Sequence, residues 1–193
     1  QEYKESESLS TDEVKRLLSL FEKKTNSFNK NRDALLIKLI LFTGIRASEC
    51  LDLRLDDFTP MDVSQNKEDI QVYKIRVQGK GNKERYVYIT KDKIKREFDC
   101  LIENHYIINY IAITNRHNRM SRVGLYNVIS NKMKKALINK KGVHILRHTF
   151  ARDLVSKNIN LQTISELLGH ASIVLTAKTY ARSDERSKVR AVL

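Results

Sequence analysis

The sequence predicts a mostly α-helical chain carrying a small antiparallel β-hairpin or sheet, an α+β fold. Glycine is sparse, with 6 in 193 residues, and proline occurs once, at Pro60, which disfavours a turn-rich β sandwich. Most segments repeat their apolar residues at helical spacing. The stretch from Ile70 to Ile89 alternates instead, and a glycine-containing turn divides it.

In chain order, Ser10-Thr11-Asp12-Glu13 fits a capping box, and Val14, Leu17, Leu18 and Phe21 continue it as one apolar stripe. Asn26 to Asn31 is polar and reads as loop. Leu35, Leu36, Leu39, Ile40 and Phe42 belong to a largely apolar, central helix that Gly44 interrupts. A short helix follows from Arg46 to about Leu53, and Pro60 to Asp69 is expected to be loop. Tyr73, Ile75 and Val77 alternate with polar neighbours, Gly79-Lys80-Gly81-Asn82 turns, and Tyr86 to Ile89 returns: a hairpin with a basic tip. Helices are expected at Lys91–Asn104, Ser121–Asn139, His144–Lys157 and Leu161–Leu168, with a last one from Ser172 past Tyr180. Thr114 to Met120 is an exposed basic loop, and Gly169 suits a helix C-terminus.

Lysine and arginine number 36 against 23 acidic residues, for a net charge of +13, which is the balance of a nucleic-acid binder. Cys50 and Cys100 are far apart, without C-x-x-C spacing, and read as reduced thiols of a cytoplasmic protein. No apolar run approaches the ~18 residues that a membrane span requires. The polar, charged start at Gln1 to Ser10 carries no signal-peptide pattern and reads as linker.

His144, Arg147 and His148 fall at i, i+3, i+4, on one face of a helix. Two imidazoles and a guanidinium in so basic a chain suggest an anion site, with phosphate the obvious anion. A metal reading is disfavoured, because Ile145, Leu146 and Arg147 supply no carboxylate and an arginine repels a cation. His148 itself reads as a buried histidine satisfied by backbone. Arg46 and Glu49, also i, i+3, are either a surface ion pair or an arginine emerging from a half-buried turn that Glu49 fixes. Lys80, Lys83 and Arg85 give the hairpin tip the charge to touch a DNA backbone.

Taken together, these segments resemble the tyrosine recombinase (phage integrase) family. Thr43-Gly44-Ile45-Arg46-Ala47-Ser48-Glu49 is similar to its first box, and Gly79-Lys80-Gly81-Asn82-Lys83-Glu84-Arg85 to its hairpin signature. His144-Ile145-Leu146-Arg147-His148-Thr149-Phe150-Ala151 is similar to H-x-L-R-H-T-F-A, and Leu167-Leu168-Gly169-His170 followed by Thr179-Tyr180 to its L-L-G-H…Y box. The four stand in family order over nearly the whole chain, nearest to the bacterial Xer and phage-integrase branch.

The resemblance implies a catalytic-domain fold and a site-specific recombinase that cuts and rejoins DNA through a 3′-phosphotyrosine intermediate. It implies Tyr180 as nucleophile, Arg46 and Arg147 as the scissile-phosphate clamp, and Lys80 as general acid for the leaving 5′ oxygen. It further implies His144 as the catalytic histidine of the second box and His170 as the position that holds the phosphate, with Glu49 supporting Arg46. Chemistry agrees: a phenol of pKa about 10 needs a positive site or a base to lose its proton. Two arginine forks and histidine donors stabilise the charge gathering on phosphorus without a metal, and a lysine can protonate a poor alkoxide leaving group. A phosphotyrosine ester conserves bond energy, so no cofactor and no ATP are expected. The implied partners are double-stranded DNA and further copies of the chain, a homotetramer on paired sites exchanging C-terminal segments, with no membrane.

Residues 1–9 are then expected to be a linker remnant, 10–180 the catalytic domain and 181–193 part of an exchange segment, with the N-terminal DNA-clamping domain absent from this sequence. The His170 to Tyr180 interval is one residue longer than the family's usual one. Two other readings share features with this one: a type IB topoisomerase and a DNA-binding protein that has lost activity. The hairpin and the H-x-L-R-H and L-L-G-H boxes argue against the first, and the filled catalytic positions argue against the second.

Overall fold

In the computed structural model, which describes residues 7–104, 106–180, 189 and 192, eight helices surround a small sheet among the described residues. The order is α1 (Thr11–Ser19), α2 (Phe28–Thr43), α3 (Ala47–Asp52), β1 (Phe58–Gln65), β2 (Glu68–Gln78), β3 (Glu84–Thr90), α4 (Lys91–Glu103), α5 (Arg122–Lys135), α6 (Val143–Ser156), α7 (Leu161–Leu168) and α8 (Ile173–Tyr180). The mostly α fold with a small antiparallel sheet is therefore as the sequence predicts. Apart from Val189 and Val192, the expected exchange segment lies outside the described residues, as do residues 1–6 of the expected linker.

The capping box forms at α1: Ser10 Oγ accepts from the Glu13 N–H at 3.1 Å, and Glu13 Oε1 accepts from the Ser10 N–H at 2.9 Å. Helix α2 begins inside the expected loop because Ser27 supplies its own cap to the Lys30 N–H. It is buried nearly all round, from Asn31 to Ile37 and from Leu39 to Leu41, as a central helix must be. It packs against α4 and α6 and touches β3, α3 and α5. Gly44 ends it at φ +69°, and a Cβ there would lie 2.3 Å from the Phe150 ring, so both the turn and the close approach of α6 demand glycine.

The sheet is antiparallel, in the order β1-β2-β3. The β2–β3 hairpin follows the sequence, with Ile75 opposite Val87 and Tyr73 opposite Ile89. Strand β1 corrects the expectation of loop from Pro60 to Asp69. It pairs with β2 from Phe58↔Ile75 to Gln65↔Glu68 and turns at Asn66 and Lys67, both at positive φ. It was illegible because, past the buried Phe58, every residue is exposed, so no alternation shows, and because edge strands tolerate a proline such as Pro60. Helix α5 stops short of Asn139. Leu137 takes φ +57°, and the Ile138 N–H turns back to the Met133 carbonyl at 2.9 Å, burying Ile138.

Two hydrophobic clusters result. The larger joins α1–α5, the sheet and the first turn of α6. The smaller lies under α6, α7 and α8, with Ala151, Ile164, Leu168 and Tyr180 buried and Phe150, Leu154, Val155 and Leu161 packed against them. Cys50 and Cys100 are free thiols. No helix of the described residues is long and apolar enough to cross a membrane.

Candidate active site

The site forms where the C-terminal end of α7 meets the turn between α2 and α3. Gly169 terminates α7 in the left-handed region, at φ +67°, and the arginine side chain of β3 lies so close that a Cβ would sit 2.8 Å from its guanidinium carbon. The helix end leaves carbonyl oxygens unpaired by the helix, and three arginines take three successive ones. Arg85 Nε donates to the Leu167 carbonyl at 3.0 Å, Arg147 Nη2 to Leu168 at 2.8 Å, and Arg46 Nη2 to Gly169 at 3.1 Å. Arg147 Nη1 also donates to the Gly44 carbonyl at 2.7 Å. The L-L-G-H box is thus a ring of carbonyls on which the guanidinium groups are hung.

Glu49 ties them sideways. Its carboxylate is buried and accepts from Arg85 at 2.6 and 2.9 Å, from Arg46 Nη1 at 3.0 Å, and from the Arg46 backbone N–H at 2.7 Å. Burial alone would push this carboxyl up, but the Arg85 hydrogen bonds, the Arg46 N–H and the two guanidinium charges together hold it below the ordinary carboxylate value. The half-buried-turn reading of Arg46 is the one the structure bears out. Arg147 is 9% exposed, and burial with the charges of Arg46 and Arg85 brings its pKa down to about 10, so it stays cationic at neutral pH.

His144 is exposed at the start of α6 and, with Arg46, Arg147, Arg122, Tyr126 and Lys141, lines an open groove of about 680 Å³. His170 is half-buried, with Nδ1 2.7 Å from the hydroxyl of the fully buried Thr176. Burial and then Arg147, Arg46 and Arg85 lower its pKa to about 4, which leaves a neutral ring that can donate a hydrogen bond without adding charge. Tyr180, on α8, is 7% exposed, and burial raises its pKa against the lowering pull of Arg147 and Arg152. Helix α8 carries Tyr180 back to α6, where its hydroxyl lies 2.5 Å from His148 Nδ1.

Arg46, Glu49, Arg147, His170 and Tyr180 are thus brought together, with His144 at the rim. Lys80 and Lys83 stand exposed at the hairpin tip, outside this network, in a short 3₁₀ turn closed by the Gly79 N–H on the Lys83 carbonyl at 2.7 Å. Arg85 does not face outward as a tip residue should. It points inward, 13% exposed, and orders Glu49 and α7. Strand parity could have shown this: Arg85 shares its face with buried Val87 and Ile89.

His148 also departs from expectation. Its Nδ1 is satisfied by the Tyr180 hydroxyl, at 2.5 Å, and not by backbone. The rings of His144, His148 and Tyr180 form a row, with centroid separations of 5.8 and 5.9 Å, from the groove to the buried phenol. Helical spacing places His148 one turn before Ala151, on the face of the smaller core, but the partner on α8 is a tertiary fact.

A tyrosine set against paired arginines on this scaffold is the arrangement of a tyrosine recombinase catalytic domain. The chain belongs to the phage integrase family, whose model matches residues 7–187. It is 33% identical over 186 residues to the tyrosine recombinase XerH of Campylobacter jejuni, covering 92% of this chain and 49% of that protein. It is 36% identical over 162 residues to XerC of Listeria monocytogenes, covering 75% and 48%. Among solved structures, the XerH site-specific recombinase bound to its difH substrate in a pre-cleavage complex superposes with a TM-score of 0.80 at 27% identity, over 100% of this chain and 55% of that one. The chain spans about half the length of the curated relatives it matches.

Proposed function

We propose that this chain is the catalytic part of a site-specific DNA recombinase that cleaves one strand through Tyr180, holds it as a 3′-phosphotyrosine and rejoins it to a new 5′ end. The observation that carries this reading is the seating of Tyr180 on α6 beside Arg147, with Arg46 hung from the same helix end. The net charge of +13 and the basic groove supply attraction for a DNA backbone, and the related XerH is known bound to difH.

In this reading the scissile phosphate sits against Arg46 and Arg147, with His144 and His170 donating to its non-bridging oxygens. Arg46, Arg147 and His170 are held in place before substrate arrives, so little reorganisation on their part accompanies the build-up of charge on phosphorus. Tyr180 Oη attacks, the P–O5′ bond breaks, and Lys80 gives its proton to the 5′ oxygen. The hairpin tip carries Lys80 outside the arginine network, where it is free to follow the DNA. The chain works as a tetramer on paired duplex sites, exchanging residues 181–193, with its DNA clamp in a further domain.

The test is trapping. The full protein is incubated with duplexes from the DNA flanking its own coding sequence, nicked just 3′ of the cut so that the short fragment bearing the freed 5′ hydroxyl diffuses away. A covalent protein–DNA adduct of one strand is expected, and none from Tyr180→Phe. An adduct from Tyr180→Phe refutes the nucleophile assignment.

A further inference from the structure

We propose that His148 is a further catalytic residue, whose Nδ1 holds the Tyr180 hydroxyl and takes its proton as the phenol attacks phosphorus; this rests on the reading of Tyr180 as nucleophile. The geometry is direct. Nδ1 and Oη are 2.5 Å apart, Tyr180 lies in the small core under α6 to α8, and His148 is half-buried beside it. His148 follows Arg147 in the chain, so one turn of α6 presents both a phosphate-clamping guanidinium and the tyrosine's partner.

The charged and titratable groups around His148 are His144, Arg147 and Arg152 on its own helix, His170 beyond α7, and Tyr180 on α8. Burial, then His144, Arg147 and Arg152, bring its pKa down to about 4, so the ring is neutral at rest. Its partner, a phenol raised by burial, is protonated. The phenol proton therefore lies between the two, with Nδ1 accepting and the ring's own proton on Nε2.

Unliganded, His148 is a weak base. A bound phosphate changes that, because its negative charge sits against Arg147 and His144, two of the groups that suppress protonation of the ring. Basicity at Nδ1 thus rises when DNA occupies the clamp, and the nucleophile is activated only where there is a phosphate to attack. In the step itself the Oη–H bond breaks and an Nδ1–H bond forms, while Oη bonds to phosphorus and the 5′ oxygen leaves with the proton from Lys80. Rejoining runs in reverse: the incoming 5′ hydroxyl returns its proton to Lys80, and the departing phenolate recovers its own from His148.

The discriminating variant is His148→Asn in the full chain. The Asn Oδ1 occupies the position of Nδ1 and can accept the phenol's hydrogen bond, but it does not take up a proton. Single-turnover adduct formation on the nicked duplex should slow by about 10²-fold or more, with DNA affinity and melting temperature unchanged. Replacing Tyr180 by a difluorotyrosine, whose phenol is more acidic, should narrow the rate gap between His148→Asn and a parent carrying the same fluorinated tyrosine. His148→Gln serves as a second variant if the Asn protein melts early. Cleavage by His148→Asn at the parent rate, or a rate gap that the fluorinated tyrosine does not narrow, overturns the proposal. An adduct from Tyr180→Phe overturns the nucleophile assignment beneath it and is read separately.

Discussion

Removing Glu49 should damage the protein before it damages the chemistry. In Glu49→Ala, Arg85 loses a two-pronged carboxylate contact at 2.6 and 2.9 Å while only 13% exposed, so a charge is left buried with the Leu167 carbonyl as its remaining support. Breaking a buried pair from one side costs about 3–5 kcal/mol. Arg46 is 38% exposed, so its share of the ion pair is screened and adds no more than about 1 kcal/mol. For a chain of this size each kcal/mol lowers Tm by about 2–4 °C, so a fall of about 6–24 °C is expected in a thermal melt. Glu49→Gln keeps an acceptor without the charge and should fall between the two. The pH dependence has a definite sign. The folded carboxyl lies below its unfolded value, so its contribution is fully present above the unfolded carboxylate range and is lost as pH falls through the folded pKa. The parent should therefore lose stability in acid faster than Glu49→Gln does. A Glu49→Ala protein melting within about 2 °C of the parent would refute the claim that this carboxylate organises the arginines.

Arg85→Ala should lower melting temperature with little change in the salt dependence of DNA binding, whereas Lys83→Ala should leave melting unchanged and reduce the salt slope by about one; the reverse pattern would mean that Arg85 faces the DNA. Gly44→Ala places a Cβ against Phe150 at a positive φ and should destabilise by more than about 1 kcal/mol, read by denaturant unfolding, with a neutral result contradicting the close approach of α2 and α6. Lys80→Ala should slow cleavage of ordinary DNA strongly and of a 5′-thio substrate weakly; equal slowing on both would remove Lys80 from the role of acid.

The helices were legible because each of their signals is local: a capping box at Ser10, a left-handed glycine at Gly44 and Gly169, and an apolar stripe between. The β2–β3 hairpin was legible for the same reason. Strand β1 was not, since an exposed edge strand is held by backbone pairing, which leaves no mark on side-chain pattern. The site divides along the same line. Arg46, Arg147, His170 and Tyr180 could be named from motif order. What each one touches could not, because the carbonyls of Leu167, Leu168 and Gly169 lie more than a hundred residues from Arg46 and 82 from Arg85. Arg85 and His148 show the intermediate case, in which periodicity gives the face but tertiary packing gives the partner.

That packing also answers why three guanidinium groups tolerate each other around one carboxylate. Left to themselves they would repel, and the lowered pKa of Arg147 registers both that repulsion and its burial. The end of α7 offsets it. A helix C-terminus carries partial negative charge, and here three consecutive carbonyls are aimed at three different arginines, with Glu49 bridging two of them. Carbonyl dipoles do not neutralise a cation as a second carboxylate would, so the assembly stays net positive while its geometry stays fixed. An anion arriving in the groove meets donors already oriented and a charge not yet compensated. A second carboxylate in place of one of those carbonyls would hold the arginines as firmly and leave the phosphate with less to bind. On this argument Leu168→Asp, which adds a carboxylate at the residue whose carbonyl Arg147 holds, should weaken DNA binding even in whatever fraction remains folded, as read by affinity at matched salt; unchanged affinity would mean that the site's uncompensated charge is not what draws the phosphate in.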